Sequence, residues 1–311
     1  MKCTRCKRLA AVALPSHNAG FCPECFDEFF LRRVKEALRR HRMLAPGERV
    51  LVALSGGKDS LALMEALRTL GCDAAGLHVD LKIPESSAIA RSAVEAFCRS
   101  RGLELIVADM GQWGLPIPEV RSNVRQPICS VCGKIKRSVM SRVALEHGFD
   151  ALATGHNLDD ETARLFANVL RWDPDHLGSQ GPCLPAEKGF PRKIKPLYRL
   201  TEFETAAFAF LRGVEYAAAP CPYSRGASFT SHKSLLAQLE ERSPGSKVAF
   251  YEGFLDRGRP AFQTQSQEAE PPAPCDRCGM PTSAGLCSVC RIRDLMPSPD
   301  PKTAASETVQ D

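Results

Sequence analysis

A chain of 311 residues, 44% apolar and 25% charged, is long enough to bury a sizeable core and has the balance of a soluble globular protein. No apolar run approaches the ~18–20 residues of a membrane span, and the start "MKCTRCKRLA" lacks the apolar centre of a secretion signal, so a cytoplasmic location is expected. The net charge of +5 does not by itself mark a nucleic-acid binder, and fourteen cysteines in a reducing compartment point away from disulfides, towards metal ligation or catalysis.

In chain order, Cys3, Cys6, Cys22 and Cys25 come first, in a C-x2-C-x15-C-x2-C pattern broken by Gly, Pro and Asn. Four thiolates so spaced suit a structural zinc ion, and the segment is too short to fold on a core of its own. The next stretch, "FDEFFLRRVKEALRRHRM", places Phe26, Phe30, Val34 and Leu38 at helical spacing, with Arg32, Lys35, Arg39 and Arg42 on another face. A solvated basic surface and an RNA-phosphate contact both fit that second face.

From about residue 45 to 220, short apolar runs such as "RVLVALS", "GLHVDL" and "LELIVADM" alternate with helical stretches. That alternation predicts right-handed βαβ units, an α/β Rossmann-like doubly wound parallel sheet, and ligands at the carboxyl ends of its strands. Residues 173–196 read as a long Pro/Gly-rich loop, and residues 224–257 as helices with a short closing strand. Beyond the linker "QSQEAEPPAP", Cys275, Cys278, Cys287 and Cys290 form a second zinc-type set. The expected segments are therefore a zinc knuckle (1–26), a basic helix (27–44), a nucleotide-binding catalytic domain (45–222), a helical extension (223–260), a second knuckle (272–292) and a disordered tail (293–311).

The stretch "VLVALSGGKDSLALMEAL" reads as strand, glycine turn and helix. Gly56 and Gly57 admit a backbone close to a ligand, Ser55 and Ser60 offer hydroxyls and Lys58 a cation. The following helix aims free N–H groups at the turn, which makes a phosphate cradle. The pattern is not a Walker loop; S-G-G-x-D-S resembles the PP-loop of ATP pyrophosphatases. The resemblance implies ATP gripped through Ala53, Ser55, Gly56, Gly57, Lys58, Asp59 and Ser60, with Mg²⁺ held through Asp59 and the adenine at His78 and Val79.

Cys129 and Cys132, in "RQPICSVCGKIKR", have no second pair beside them. A redox dithiol, half of a zinc site and an iron–sulfur site all fit. Of the remaining cysteines, Cys72 and Cys98 look like packing residues, Cys183 lies in the long loop, and Cys221 sits between prolines after a strand-like run. Cys129, Cys132 and Cys221 would make a three-thiolate [4Fe–4S] site that leaves one iron open, with Cys183 the other candidate.

The PP-loop, the two terminal knuckles, "CGKIKR", "GHNLDDE" and "PCPYS" together resemble the TtuA-like tRNA 2-thiouridine synthetases over roughly residues 1–292. That resemblance implies a tRNA sulfurtransferase using ATP, Mg²⁺, a [4Fe–4S] cluster and two Zn²⁺. ATP adenylates the C2 oxygen of a uridine, releasing pyrophosphate; sulfur held at the open iron attacks C2, and AMP leaves. It further implies Lys136 and Asp160 as catalytic residues, Lys136 and Gly155 at the ATP, a ubiquitin-like thiocarboxylate protein as sulfur donor, and commonly a homodimer. Uridine 54 of the T-loop is favoured over wobble uridine 34. Two alternatives are kept: another PP-loop enzyme, of lysidine-synthetase or amidating-ligase type, and an RNA-binding zinc-knuckle protein with a vestigial nucleotide fold.

Overall fold

The computed structural model describes residues 1–187, 189–218, 221–223, 228–263 and 272–297. The predicted tail lies almost wholly outside these residues. Two short strands, β1 (Val12–Leu14) and β2 (Ala19–Phe21), form the hairpin of the first knuckle. Helix α1 (Pro23–Arg40) starts inside that knuckle, with Cys22 as N-cap, proline in its first turn, and Cys25 already helical. Its predicted apolar face is real: Phe26, Phe30 and Val34 are fully buried. Phe30 stacks on Phe208 with ring centroids 3.9 Å apart, fastening the helix to the main domain.

The expected doubly wound sheet follows. The chain runs β3 (Arg49–Ala53), α2 (Lys58–Thr69), β4 (Asp73–Asp80), α3 (Ser86–Arg101) and β5 (Leu105–Asp109). It then runs α4 (Ile117–Asn123), α5 (Ile128–Glu146), β6 (Ala151–Thr154) and α6 (Leu158–Arg171). Residues 173–196 are not one loop: they fold into α7 (Pro174–Ser179), β7 (Cys183–Leu184) and β8 (Arg192–Ile194). The sheet order is β5-β4-β3-β6-β8-β7, parallel throughout except for the antiparallel edge strand β7. Prolines and glycines misled there because the strands of this edge hairpin are only two and three residues long, too short to show a period.

Strand alternation separates two cores. Val50, Val52, Ala151 and Ala153 face one layer with α1, α2, α6 and α8 (Glu202–Leu211); Leu51, Ala75, Leu77 and Leu152 face the other, with α4 and α5. The remaining described helices are α9 (Ser228–Arg242), α10 (Ser246–Gly253), a π-turn at Phe254–Gly258 and α11 (Arg259–Gln263). The predicted closing strand is absent there: "SKVAFYEG" is α10, whose Tyr251 is fully buried against α6. The second knuckle comprises β9 (Ala273–Pro274), β10 (Pro281–Thr282) and α12 (Ser288–Arg293), and Val289 and Ile292 of α12 join the α4–α5 core. None of the described helices is long and apolar enough to cross a membrane.

Candidate active site and metal sites

Strands β3, β4 and β5 are laid down outward in one direction, and the chain then crosses back to place β6 on the other side of β3. The carboxyl ends of β3 and β6 therefore flank the point where the winding reverses, where such sheets bind ligands. The "SGGKDS" turn leaves β3 there and the "TGHN" turn leaves β6 there.

Gly56 adopts φ +84°, and a Cβ on it would lie 2.9 Å from the carbonyl oxygen of Ala90, so both conformation and space demand glycine. Ser60 braces the turn: its hydroxyl donates to the Gly57 carbonyl at 2.9 Å and accepts from the Ser55 amide at 3.1 Å. A Cβ on Gly155 would lie 2.8 Å from the Ser60 nitrogen and 2.9 Å from the Asp59 carbonyl carbon. Gly155 thus lets the β6 turn press against the start of α2. Asn157 then donates to Asp59 at 3.2 Å. Burial pushes the Asp59 carboxyl up; the Lys58 ammonium opposes this and Asp160 adds to it.

The ring of His78 is buried on β4, and its Nδ1 lies 2.8 Å from the Leu54 carbonyl. A carbonyl only accepts, so Nδ1 carries the hydrogen, while burial holds the ring's pKa down and keeps it neutral. Nε2 is left as a buried acceptor with no hydrogen-bond partner among the described residues. Val79, on the same strand, is partly buried beside the α4–α5 core.

The acidic run at the start of α6 separates into three roles. Asn157 and Asp160 form a reciprocal capping box, each side chain bonding the other's backbone N–H at 3.1 Å. The other oxygen of Asp160 pairs with Lys233 of α9 at 2.5 Å. Asp159 pairs with Lys247 and accepts from the Glu202 amide at 2.7 Å. Glu161 is buried, holding Lys195 at 2.8 Å and the Tyr251 hydroxyl at 2.7 Å. Asp159 and Glu161 thus fasten α6 to its neighbours, beyond any service to the helix dipole.

Sequence reasoning missed Glu202 and Lys233. Glu202 bonds Lys58 of the PP-loop at 2.7 Å and Lys233 at 3.2 Å, so charge runs unbroken from Lys58 through Glu202 and Lys233 to Asp160. Nothing in the local sequence marks Lys233; only the packing of α9 on α6 brings it there. Lys233→Ala is expected to lower kcat by ~10- to 100-fold through a mispositioned Asp160, with the KM for ATP little changed. Lys233→Arg should restore part of the loss; an equal rise in KM and no rescue would mark a merely structural lysine.

The odd cysteine pair lies in the first turn of α5, which runs antiparallel to the strands, so its start shares the carboxyl edge of the sheet with the PP-loop. Burial pushes the Cys132 thiol up, Lys136 pulls it down, and Cys221 and Cys129 push it further up; all three lie within electrostatic reach of its sulfur. Cys129 Sγ donates to the Tyr223 carbonyl at 3.1 Å, and Arg121 of α4 covers the Tyr223 ring at 4.8 Å, seating residues 221–223 over the helix start. Cys132, Cys221 and Tyr223 pack against the same core, whereas Cys183, Cys72 and Cys98 belong to the other layer. The three thiols are drawn together less tightly than the knuckle sulfurs. Lys136 is exposed and lies on the cysteine face of α5, four residues after Cys132; Lys134 points elsewhere and bonds Gln126 at 3.0 Å.

In each knuckle the four sulfurs of Cys3, Cys6, Cys22 and Cys25, or of Cys275, Cys278, Cys287 and Cys290, lie within 4.8 Å of one another. The sulfur–sulfur separations of 3.5 Å for Cys6–Cys22 and 3.7 Å for Cys278–Cys287 match the ~3.8 Å edge of a tetrahedron with metal–sulfur bonds of ~2.3 Å. The Cys287 amide donates to Cys275 at 3.2 Å and, with the Arg277 and Cys278 amides and against burial, lowers that thiol to about 6, favouring the ligating thiolate. Arg32, Lys35 and Arg39 are exposed on α1; Arg42 stands past the helix end at φ +46°, off the predicted face. Arg32 also pairs with Glu36 at 3.8 Å.

The profile of the PP-loop domain matches residues 27–223, and that of the 2-thiouridine synthetase TtuA N-terminal LIM domain matches residues 2–27. The chain is 43% identical over 297 residues to a tRNA-5-methyluridine(54) 2-sulfurtransferase of Thermus thermophilus, covering 95% of this chain and 92% of that protein. A Pyrococcus horikoshii protein of the same description is 39% identical, covering 95% and 94%. Among solved structures, the U34-tRNA thiolase NcsA from Methanococcus maripaludis with its [4Fe-4S] cluster superposes with a TM-score of 0.80 at 28% identity, covering 94% of this chain and 96% of that one.

Proposed function

Because the chain belongs to the PP-loop tRNA 2-thiouridine synthetase family, we propose that it is a tRNA 2-sulfurtransferase acting on uridine 54 of the T-loop. The observation that carries the reading is the meeting of Cys129, Cys132, Cys221 and Lys136 at the carboxyl edge of a sheet whose β3 ends in an intact "SGGKDS" turn. A lysidine-type or amidating enzyme has no use for three such thiols, and a vestigial nucleotide fold would not keep the turn. Position 54 is preferred over 34 because the two relatives named for uridine 54 are nearer in sequence than the uridine-34 thiolase.

In this reading the PP-loop amides and Lys58 hold the β- and γ-phosphates, leaving the α-phosphorus open to the uridine C2 oxygen. Asp59, a hard carboxylate donor at the loop, would hold Mg²⁺ on those phosphates. The unpartnered Nε2 of His78 would accept from the adenine amino group, with Val79 against the ring. Lys136 would offset charge on the α-phosphate, and Asp160, held in place by its pairing with Lys233, would orient the uridine base. Attack forms the O2–phosphorus bond and expels pyrophosphate; sulfur then adds at C2, the C2–O bond breaks, and AMP departs with the oxygen. The three thiols fit an iron–sulfur cluster, which when bound supplies an open iron to receive the sulfur.

The knuckles would each hold zinc as a structural ion. The donor is a ubiquitin-like protein ending in a thiocarboxylate, the enzyme a cytoplasmic homodimer, and the basic residues of α1 a tRNA contact. Mass spectrometry of tRNA nucleosides from cells lacking the protein tests the reading: loss of 2-thiolated 5-methyluridine supports it, loss of the wobble thiouridine moves the target to position 34, and an unchanged profile refutes it.

A further inference from the structure

An open cavity of about 280 Å³ lies between α5, β8 and the second knuckle. Lys134, Arg137, Ser138 and Ser141 of α5 line it, with Lys193 of β8 and Ser288 of α12 opposite. These three cations and three hydroxyls share the lining with Phe190, Met280, Pro281, Cys287 and Val289, and no carboxylate is among them. Arg137 and Lys193 make no ion pair among the described residues. Burial lowers the pKa of Arg137 and of Lys193, as do the neighbouring cations, Arg164 acting on Arg137 and Arg137 on Lys193. Lys193 is steadied instead over the Phe190 ring at 4.9 Å. Elsewhere on this protein the arginines are commonly neutralised, as Arg192, the neighbour of Lys193, is by Glu48 through two bonds. Cations gathered without a counter-charge repel one another and are relieved by an anion.

A second observation points to a ligand. Ser141 lines the cavity with only 1% of the residue exposed, and its hydroxyl oxygen is buried with no hydrogen-bond partner among the described residues. A buried hydroxyl left unpaired costs ~1–3 kcal/mol, which a bound oxygen acceptor would remove.

The position selects the source of the anion. At 100° per residue, positions 134, 137, 138 and 141 share one face of α5, and positions 129, 132 and 136 lie on the opposite one. A small anion seated here stands about one helix diameter, ~10–12 Å, from the sulfur-handling face. A long polyanion can touch both. The far wall is firm, since Val289 and Ile292 of the knuckle sit in the α5 core and Arg293 donates to the Trp113 carbonyl at 2.8 Å.

We propose that this cleft is a phosphate-binding subsite for the tRNA backbone, built jointly by α5, β8 and the second zinc knuckle, and that it holds the substrate at a distance from the reacting uridine. The proposal rests on tRNA being the substrate. Its test is the affinity of the full-length, metal-loaded enzyme for unmodified tRNA across a salt series, for wild type and the Arg137→Gln, Lys193→Gln double variant.

The double variant is expected to bind ~10-fold more weakly, with the plot of log affinity against log salt shallower by about 0.7–0.9 for each cation that met a phosphate. Its ATP affinity, iron and zinc should stay at wild-type levels. Unchanged tRNA affinity and slope would overturn the subsite, and so would inorganic phosphate competing for the cleft without any effect on tRNA. Should the double variant shed zinc, Ser141→Ala decides: weaker tRNA binding supports the subsite and unchanged binding overturns it. A wild-type protein that binds no tRNA would instead sink the functional reading itself.

Discussion

Cys221→Ser is expected to leave the purified protein without stable iron and to reduce thiolation to background, while zinc and ATP binding persist. Two thiols of one helical turn cannot replace three as an anchor, and serine is a poor ligand for iron that prefers soft sulfur. The fold should tolerate the change, because Cys221 is only partly buried and lies at the edge of the α4–α5 core. Cys183→Ser is the informative counterpart. Cys183 sits on edge strand β7 in the other core layer, beside Arg192 and Arg259, where burial pushes its thiol up. That variant should keep iron and activity. Iron and sulfide analysis after anaerobic purification, set beside zinc content, separates the two, and a Cys183 variant that lost its iron would reverse the assignment.

Lys136→Ala is expected to lower kcat for pyrophosphate release by ~10²–10³-fold, the usual cost of removing one donor aimed at charge that develops in the transition state. Lys136 is exposed on α5, so its removal should leave the melting temperature nearly unchanged, and the loss should sit in kcat rather than in tRNA affinity. Lys136→Arg keeps the charge but on a larger, planar group, and should recover only part of the rate. Radiophosphorus-labelled pyrophosphate, released from ATP labelled in its γ-phosphate and measured in single turnovers with tRNA present, reads the step directly. Full pyrophosphate release in Lys136→Ala, with thiolation alone lost, would move the lysine from adenylation to the sulfur step.

Much of this site was legible because it is local. Gly56 needs φ +84° and an uncluttered Cα, the knuckle cysteines need two-residue spacing, and Lys136 follows Cys132 by one helical turn. Each requirement is met within a few residues along the chain, so each leaves a pattern in the letters. The long loop that became α7, β7 and β8, and the strand that became α10, failed for the converse reason. Their short runs carry no period of their own and take their form from the sheet edge and from α6.

What the amino-acid order determined alone was the nucleotide turn, the two four-sulfur sets, the buried face of α1 and the alternating α/β plan. What only the tertiary structure decided was which distant groups meet. It seats Cys221 rather than Cys183 near Cys132, joins Lys58 to Glu202 across 144 positions, and sets Lys233 on Asp160. Backbone periodicity and turn chemistry act between near neighbours, whereas the order in which strands enter a sheet sets contacts between residues remote in the chain, and no local spacing encodes that order.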